Sequence, residues 1–575
     1  MKRKHLLFLT SLIALAACTD TSTSSQSSSS NETSSPVSSS IETSSSSSSA
    51  PQLKYEVVDG EVVINDLSLT SSSDIALDNN KRVFYEIFTG SFSDSNKDGI
   101  GDLQGIINRL DYLNDGNVNS GKSLGVQGIW LTPIFESPTY HKYDVSNYYK
   151  IDPQFGDMET LQKLIDECHK RNIKIILDLV LNHTGYLNPW FNQFKYAHTN
   201  NDPTNPYYDF YTYYREGETK PSGREFSKLN GTNIYYECNF STSMPELNFD
   251  NPIVREQVLE IAKYYLDMGI DGFRFDAAKY VYYNEHDKSA EFWGWYVKEL
   301  KKINPNVYTV GEVWDADSVT DKYFEKGLGC FNFSTSGSGG KIAMSAESRS
   351  DVNVYSKYVR SYYDKIQSLD KDAMMYSFIT NHDMDRAAGF LTLDNYEAHM
   401  GASLQILSPG SPFIYYGDEI GIKGTRGSAN SDANRRLRML WGDKDTVLDP
   451  SEATFKESYQ INGTVKTQIG DEKSLLIHYK KLIMIRNAYP EIYNGDFIPL
   501  KSISESGDIG GFLFTLNDSN VCVVHNTSKE EAITFDISKL SDVTLSSLEV
   551  YAGKGEAKLN GTTLTIDPMT SVVLK

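Results

Sequence analysis

The sequence predicts an α/β protein built on a (β/α)8 TIM barrel, with an inserted domain after the third strand and an antiparallel β-sandwich at the C-terminus. Three observations predict it. Between about residues 81 and 490, short β-rich apolar runs alternate with helical patterns, the order expected of parallel β/α units. Eight such runs can be counted, and eight units close into a barrel. After Pro490 the texture changes to short alternating strands separated by turn residues, which suits a sandwich.

The first 17 residues begin with Lys2, Arg3 and Lys4 and continue into an apolar stretch from Leu6 to Ala17, too short to span a bilayer but of the length found in secretory signals. Residues 1–17 therefore read as a signal peptide. They end in Leu15-Ala16-Ala17 before Cys18, which resembles the bacterial lipobox. That resemblance implies lipid modification of Cys18 and a membrane anchor at the extracellular face of the bacterial cell envelope. Residues 18–50 are almost all Ser and Thr with no aromatic side chain, so they bury too little surface to offset their chain entropy and read as a disordered tether. Residues 51–80 form an N-terminal extension.

The barrel is expected over 81–182 and 251–490, with strands at 83–88, 128–132, 173–180, 272–276, 307–310, 330–333, 375–380 and 413–416. Helical periodicity runs over 160–171, 253–268 and, as the last barrel helix, 474–488. Residues 183–250, rich in Tyr, Asn and Pro, are too long for a simple connection and read as an inserted domain. Residues 491–575 carry the sandwich, with strands at 511–516, 520–524 and 562–566.

The 575 residues carry a formal charge of −21, and the 55 basic residues form no dense cluster beyond the first four positions, which argues against a nucleic-acid partner. Such a charge neither attracts nor repels a neutral polymer. Cys168, Cys238, Cys330 and Cys522 are scattered without CxxC spacing and predict buried apolar side chains rather than a zinc site or a disulfide framework. Nothing in the sequence indicates a protein partner.

Chemistry in such a barrel sits at the C-terminal ends of the strands. There the predicted strands deliver four acids, Asp178, Asp276, Glu312 and Asp383. Hydrolysis of a glycosidic bond needs two carboxyl groups, one as nucleophile or base and one as proton donor. Arg274, two residues before Asp276 on the same face of its strand, supplies a cation to keep Asp276 ionised, whereas Glu312 needs a raised pKa. The segments read Asp178-Leu179-Val180-Leu181-Asn182-His183, Gly272-Phe273-Arg274-Phe275-Asp276-Ala277-Ala278-Lys279-Tyr280, Gly311-Glu312-Val313-Trp314 and Phe378-Ile379-Thr380-Asn381-His382-Asp383. Four such motifs in this order resemble the α-amylase superfamily of glycoside hydrolases, from about residue 82 to residue 490.

The resemblance implies an α-glucan substrate and assigns roles. Asp276 is the nucleophile, Glu312 the general acid and base, and Asp383 binds the sugar hydroxyls together with His183 and His382. Asp178 and Asn182 support the site. Tyr143, followed by Asp144, stacks on the sugar, Lys279 and Tyr280 line the leaving-group side, and Arg436 can reach the substrate from the loop after strand eight, although Arg435-Arg436 reads first as a solvated basic face. The Ala277-Ala278-Lys279 pattern favours an endo-acting α-1,4 hydrolase with retention. Met244-Pro245-Glu246-Leu247-Asn248 resembles members between the oligo-1,6-glucosidases and the neopullulanases, so neopullulanase, cyclomaltodextrinase or oligo-1,6-glucosidase activity is the alternative. A non-catalytic glucan-binding lipoprotein is the alternative of another class, and the presence of both catalytic acids argues against it.

Asp94, Asn96, Asp98 and Asp102, with the Ile100 carbonyl, offer hard oxygen ligands at a spacing close to the start of an EF-hand loop, for which calcium is the natural ion. The segment also resembles the first-loop calcium site of oligosaccharide-acting members. A second calcium site would use Asn182 and an acid of the insert, where this sequence ends in Asn248 in place of the Asp of many α-amylases.

Overall fold

The computed structural model describes residues 48–49, 53–65, 81–117, 120–503 and 507–575. The signal peptide, Cys18 and nearly all of the Ser-rich tether lie outside the described residues. Among those described, seven strands form one parallel sheet in the spatial order Tyr308–Gly311, Gly272–Phe275, Lys174–Leu179, Gly128–Leu131, Phe84–Ile87, Ser411–Tyr415, Tyr376–Phe378. Almost every residue of these strands is buried, as expected where helices cover a sheet that curls on itself.

The sixth strand expected over 330–333 is the departure. Cys330 pairs with Gly311 and Phe331 with Tyr376 as isolated parallel bridges, and the chain then turns into a 3-10 helix at Phe333–Thr335. These two bridges join the outer strands of the curled sheet and close the ring. The segment is short because the 3-10 helix begins two residues after Phe331 of the second bridge, and Gly329 before it runs against the Tyr376 ring, 2.5 Å from where a Cβ would stand. Aromatic side chains fill the ring: Phe84 stacks on Phe413 at 4.7 Å, and Phe331 meets Phe413 and Trp130 at 4.9 and 5.6 Å.

The helices begin where the sequence supplies caps. Asp102, Asp157, Asn251 and Ser474 accept backbone N–H bonds at the starts of Leu103–Leu113, Met158–Lys170, Pro252–Met268 and Leu475–Ala488. The insert after the third strand holds the helix Pro189–Thr199 and a three-stranded antiparallel sheet in the order Phe226–Lys228, Ile234–Glu237, Tyr213–Arg215. At the C-terminus a five-stranded sheet containing Ile509–Leu516 and Ser519–Asn526 packs one face on the barrel helix Val352–Leu369 and the other on a smaller sheet containing Thr563–Ile566. A hairpin, Tyr55–Val58 with Glu61–Ile64, ties the N-terminal extension to the barrel through Val62 N–H to Ile469 O at 2.8 Å. The four described cysteines are free and buried. No helix among the described residues is long and apolar enough to cross a membrane.

Candidate active site

Strand register assembles the site. Arg274 lies level with Asp178 on the neighbouring strand, and Phe275 lies level with Gly311, so Asp276 and Glu312 leave adjacent strand ends together. Arg274 is fully buried, and its Nη1 donates to Asp178 Oδ1 at 2.7 Å and to Asp276 Oδ1 at 2.8 Å, while Nη2 stands 3.0 Å from Glu312 Oε2. Ala277 adopts a left-handed conformation with φ 48°, which turns the chain directly after Asp276 and aims its N–H at Glu312 Oε2, 3.0 Å away. One guanidinium thus gathers three carboxyl groups. Sharing it gathers Asp276 and Glu312 on one cation at the ends of adjacent strands, the pairing of two carboxyl groups that retaining glycoside hydrolysis uses.

The electrostatics depart from the expectation that Arg274 alone keeps Asp276 ionised. Burial raises Asp276, Glu312 and Asp178, the last to about 7, and one cation cannot offset the desolvation of three acids. Asp383 goes the other way. Burial would lift it, but the His382 imidazolium, then Arg436 and Arg274, outweigh burial and hold it well below the carboxylate range. Arg436 Nη2 donates to Asp383 Oδ1 at 2.6 Å, and His382 Nε2 stands 3.1 Å from Asp383 Oδ2.

These residues floor a cleft of about 1050 Å³ at the C-terminal face of the barrel. Its walls come from the loop after the second strand (Thr139, Tyr140, His141, Tyr143), from the insert (His183, Phe240, Met244), from Lys279, Tyr280 and Trp314, and from the loop after the eighth strand (Asp432, Arg436, Glu452). Tyr143 donates to Asp178 Oδ2 at 2.9 Å and stacks on His382 at 5.5 Å. Lys279 Nζ donates to the Trp314 carbonyl at 2.6 Å and pairs with Asp315. His183 is buried, and desolvation lowers it to about 4, so it presents a neutral imidazole to the cleft.

Two expectations are corrected. Asp144 does not line the cleft: it is buried and accepts from Ser137 Oγ at 2.6 Å and from Thr139 Oγ1, shaping the loop that carries Tyr143. Arg436 is not part of a solvated face, being 5 % exposed against Asp383 and Tyr140. Asn182 faces the insert, with its carbonyl accepting from Leu247 N–H at 3.0 Å and its side chain beside Glu246.

The first loop is closed by its own hydrogen bonds. Asp94 accepts from the N–H groups of Asn96, Lys97 and Gly99 and from Thr446 Oγ1, and Asp102 accepts from Ser95 and caps the next helix through Gly105. Among the described residues no group of three or more His, Cys, Asp or Glu side chains is gathered as a metal ion would need. The residues that would hold a calcium ion here are Asp94, Asn96, Asp98 and Asp102 with the Ile100 carbonyl, all oxygen donors of one loop.

Sequence reasoning missed Glu86, Phe240 and Trp314. Glu86, buried at the end of the first strand, holds His382 Nδ1 at 2.5 Å. A lone acid in an apolar strand was the available signal. Trp314 stood inside a quoted motif, and at 45 % exposure its ring stacks on Phe333 at the cleft rim. Nothing in the sequence pointed to Phe240, which the insert brings against Tyr280.

Residues 86–495 match the family model described as the α-amylase catalytic domain. The chain is 37% identical to Alpha-amylase 3 of Dictyoglomus thermophilum over 454 residues, 78% of this chain and 85% of that protein. It is 31% identical to a cyclomaltodextrinase of Thermoanaerobacter pseudethanolicus over 493 residues, 83% and 71% of the two chains. Among solved structures, Eubacterium rectale Amy13B superposes with a TM-score of 0.81 at 32% identity, covering 88% of this chain and 98% of that one.

Proposed function

The chain belongs to the α-amylase family of glycoside hydrolases, and from that premise we propose an endo-acting enzyme that cleaves α-1,4-glucosidic bonds in starch, glycogen or maltooligosaccharides with retention of configuration. The observation that carries the reading is the shared contact of Asp276 and Glu312 with Arg274 at the floor of the cleft. Asp276 attacks the anomeric carbon while Glu312 passes its proton to the departing glycosidic oxygen. Glu312 then takes a proton from the water that displaces Asp276 from the covalent intermediate. The direct hydrogen bond from Arg274 Nη1 favours the anion on Asp276, which leaves the proton of the pair to Glu312. Asp383, held ionised by the His382 cation, accepts from sugar hydroxyls, and its negative charge favours an oxocarbenium-like state over the neutral sugar. Tyr143, stacked flat at the floor, offers its ring to the pyranose.

A second reading, cyclomaltodextrinase or transfer of the glycosyl group to a sugar hydroxyl, draws on the similarity to the cyclomaltodextrinase and on the same covalent intermediate. We also propose calcium at the first loop and a lipid anchor on Cys18 that holds the enzyme at the outer face of the envelope, on the strength of the two sequence motifs. A product profile on starch, pullulan, cyclodextrin and isomaltose separates the activities. Asp276→Asn is expected to lower kcat by at least about 10³-fold while glucan binding persists; turnover surviving that change would place the nucleophile elsewhere.

A further inference from the structure

A second cavity, sharing no residue with the cleft, opens where the N-terminal hairpin, the helices Glu397–Ile406 and Leu475–Ala488 and the C-terminal strand Leu548–Gly553 meet. It encloses about 340 Å³, the lower end of the range in which pockets enclose small molecules. Half-buried Tyr55, Tyr396 and Tyr551 present rings to it, and His399, Glu472 and Lys481 supply polar groups.

His399 is the group that asks for a ligand. It is 5 % exposed, and neither ring nitrogen has a hydrogen-bond partner in the chain, although the Lys473 backbone lies beside it. Buried polar nitrogens are rarely left unpaired, because each forfeits its hydration. Desolvation lowers the imidazole to about 4, so at neutral pH it carries one donor and one acceptor. A hydroxyl group satisfies both. The ring is packed against Tyr396 at 4.5 Å and His478 at 5.0 Å, which fixes its direction.

The charges in the wall choose between ligand classes. Lys481 Nζ donates to the Glu472 carbonyl at 3.1 Å and lies 5.3 Å from the Tyr55 ring, and the Tyr55 hydroxyl is hydrogen-bonded to the Glu472 carboxylate. With Lys473, Lys554 and Glu556 the lining carries three lysines against two glutamates, a near balance that gives neither an anion nor a cation a strong advantage. Three tyrosine faces together with a donor–acceptor imidazole suit a ring that is apolar on its face and hydroxylated at its edge.

We propose that this cavity is a second, non-catalytic binding site for a short neutral oligosaccharide, seated on the tyrosines with a hydroxyl on His399. The site itself stands apart from the hydrolase reading; only the choice of an α-glucan as first probe rests on it. Calorimetric titration of the full chain carrying Asp276→Asn with maltotriose, in parallel with xylotriose, tests the proposal. Two binding events for maltotriose are expected, with Tyr551→Ala removing one of them and leaving the other, and leaving hydrolysis by the otherwise native enzyme within about twofold. Because Tyr551 is partly exposed, its truncation is mild, and the ring-nitrogen NMR signals of His399 give a second readout in the untruncated chain. Those signals should move on saturation with the sugar. Movement with xylotriose as well would make the site general for neutral saccharides rather than glucan-specific. A single event that Tyr551→Ala leaves intact, with unmoved His399 signals, means that the cavity holds water only and overturns the proposal; loss of the cleft event alone would instead count against the hydrolase reading.

Discussion

At the scale of single residues, the site works by unequal sharing of charge. Arg274 serves three acids and cannot ionise them all, whereas Asp383 draws on two cations, His382 and Arg436, and stays charged. His382 completes that arrangement from behind. Burial would lower it, but Asp383 and Glu86 outweigh burial and raise it to about 10, and Tyr143 OH stands 2.6 Å from its Nε2. Glu86 thus acts as a positioning residue, touching no substrate but fixing both the direction and the charge of the ring. Glu86→Gln keeps an acceptor for Nδ1 and removes the charge. The His382 imidazolium should then titrate by NMR about 1–3 pH units lower than in the native enzyme. An unchanged His382 titration would reduce Glu86 to a packing role.

At the scale of elements, the strand ends that carry the acids were legible because apolar runs bounded by motif residues announce themselves, and the helical periodicity over 160–171, 253–268 and 474–488 lies at the observed helices Met158–Lys170, Pro252–Met268 and Leu475–Ala488 to within one or two residues. The sixth strand, expected over 330–333, was legible in its place but not in its shortness. Its pairing amounts to two bridges that depend on both flanking strands being in place, and no local pattern encodes that. Phe240 was not legible, because its place at the cleft is set by the tertiary packing of the insert. Local rules also mislead at Gly105, inside the helix Leu103–Leu113. Propensity alone says that Gly→Ala there stabilises by about 1 kcal/mol. A Cβ at that point would stand 1.9 Å from the Ser93 carbonyl oxygen, which holds the first loop through Asp102 N–H at 3.0 Å. Gly105→Ala should therefore destabilise by about 1–3 kcal/mol in chemical denaturation, and a stabilised variant would show that the loop moves aside freely. The same loop carries the proposed calcium. Saturating calcium should raise Tm and EDTA should reverse it, by about 2.7 kcal/mol of stabilisation at a hundredfold excess over Kd; a Tm indifferent to both would leave the loop held by its hydrogen bonds alone.

At the scale of the whole molecule, residues 47–575 behave as one compact unit, and the contacts explain why. The five-stranded sheet buries Phe497 and Phe512 against Tyr363 and Tyr355 of the barrel helix, and Arg486 of the last barrel helix donates to the carbonyls of Ile406 and Ser408 at 2.8 and 2.6 Å. A unit closed this tightly keeps several acids out of water, and its stability should report them. Burial raises Asp178 and Asp418 to about 7 and Glu246 to about 8, while His382 is raised to about 10 by its carboxylate partners against burial. Between pH 6.5 and 8 the unfolded chain has lost the carboxyl protons and is losing that of His382, while the native state still holds them in part, so through these groups the native state binds more protons and stability falls as pH rises. His141, His183, His399 and His525, lowered to about 3–4, are neutral in the native state but partly protonated in the unfolded chain near pH 6.5, so they oppose the trend at the acid end of the window and reduce its size. Lys480, lowered to about 8, also opposes it at the alkaline end. Scanning calorimetry should thus give a Tm at pH 8 below that at pH 6.5 by on the order of a few degrees. A Tm that holds steady or climbs across the window would mean that water reaches these acids and that the unit is less closed than its packing implies.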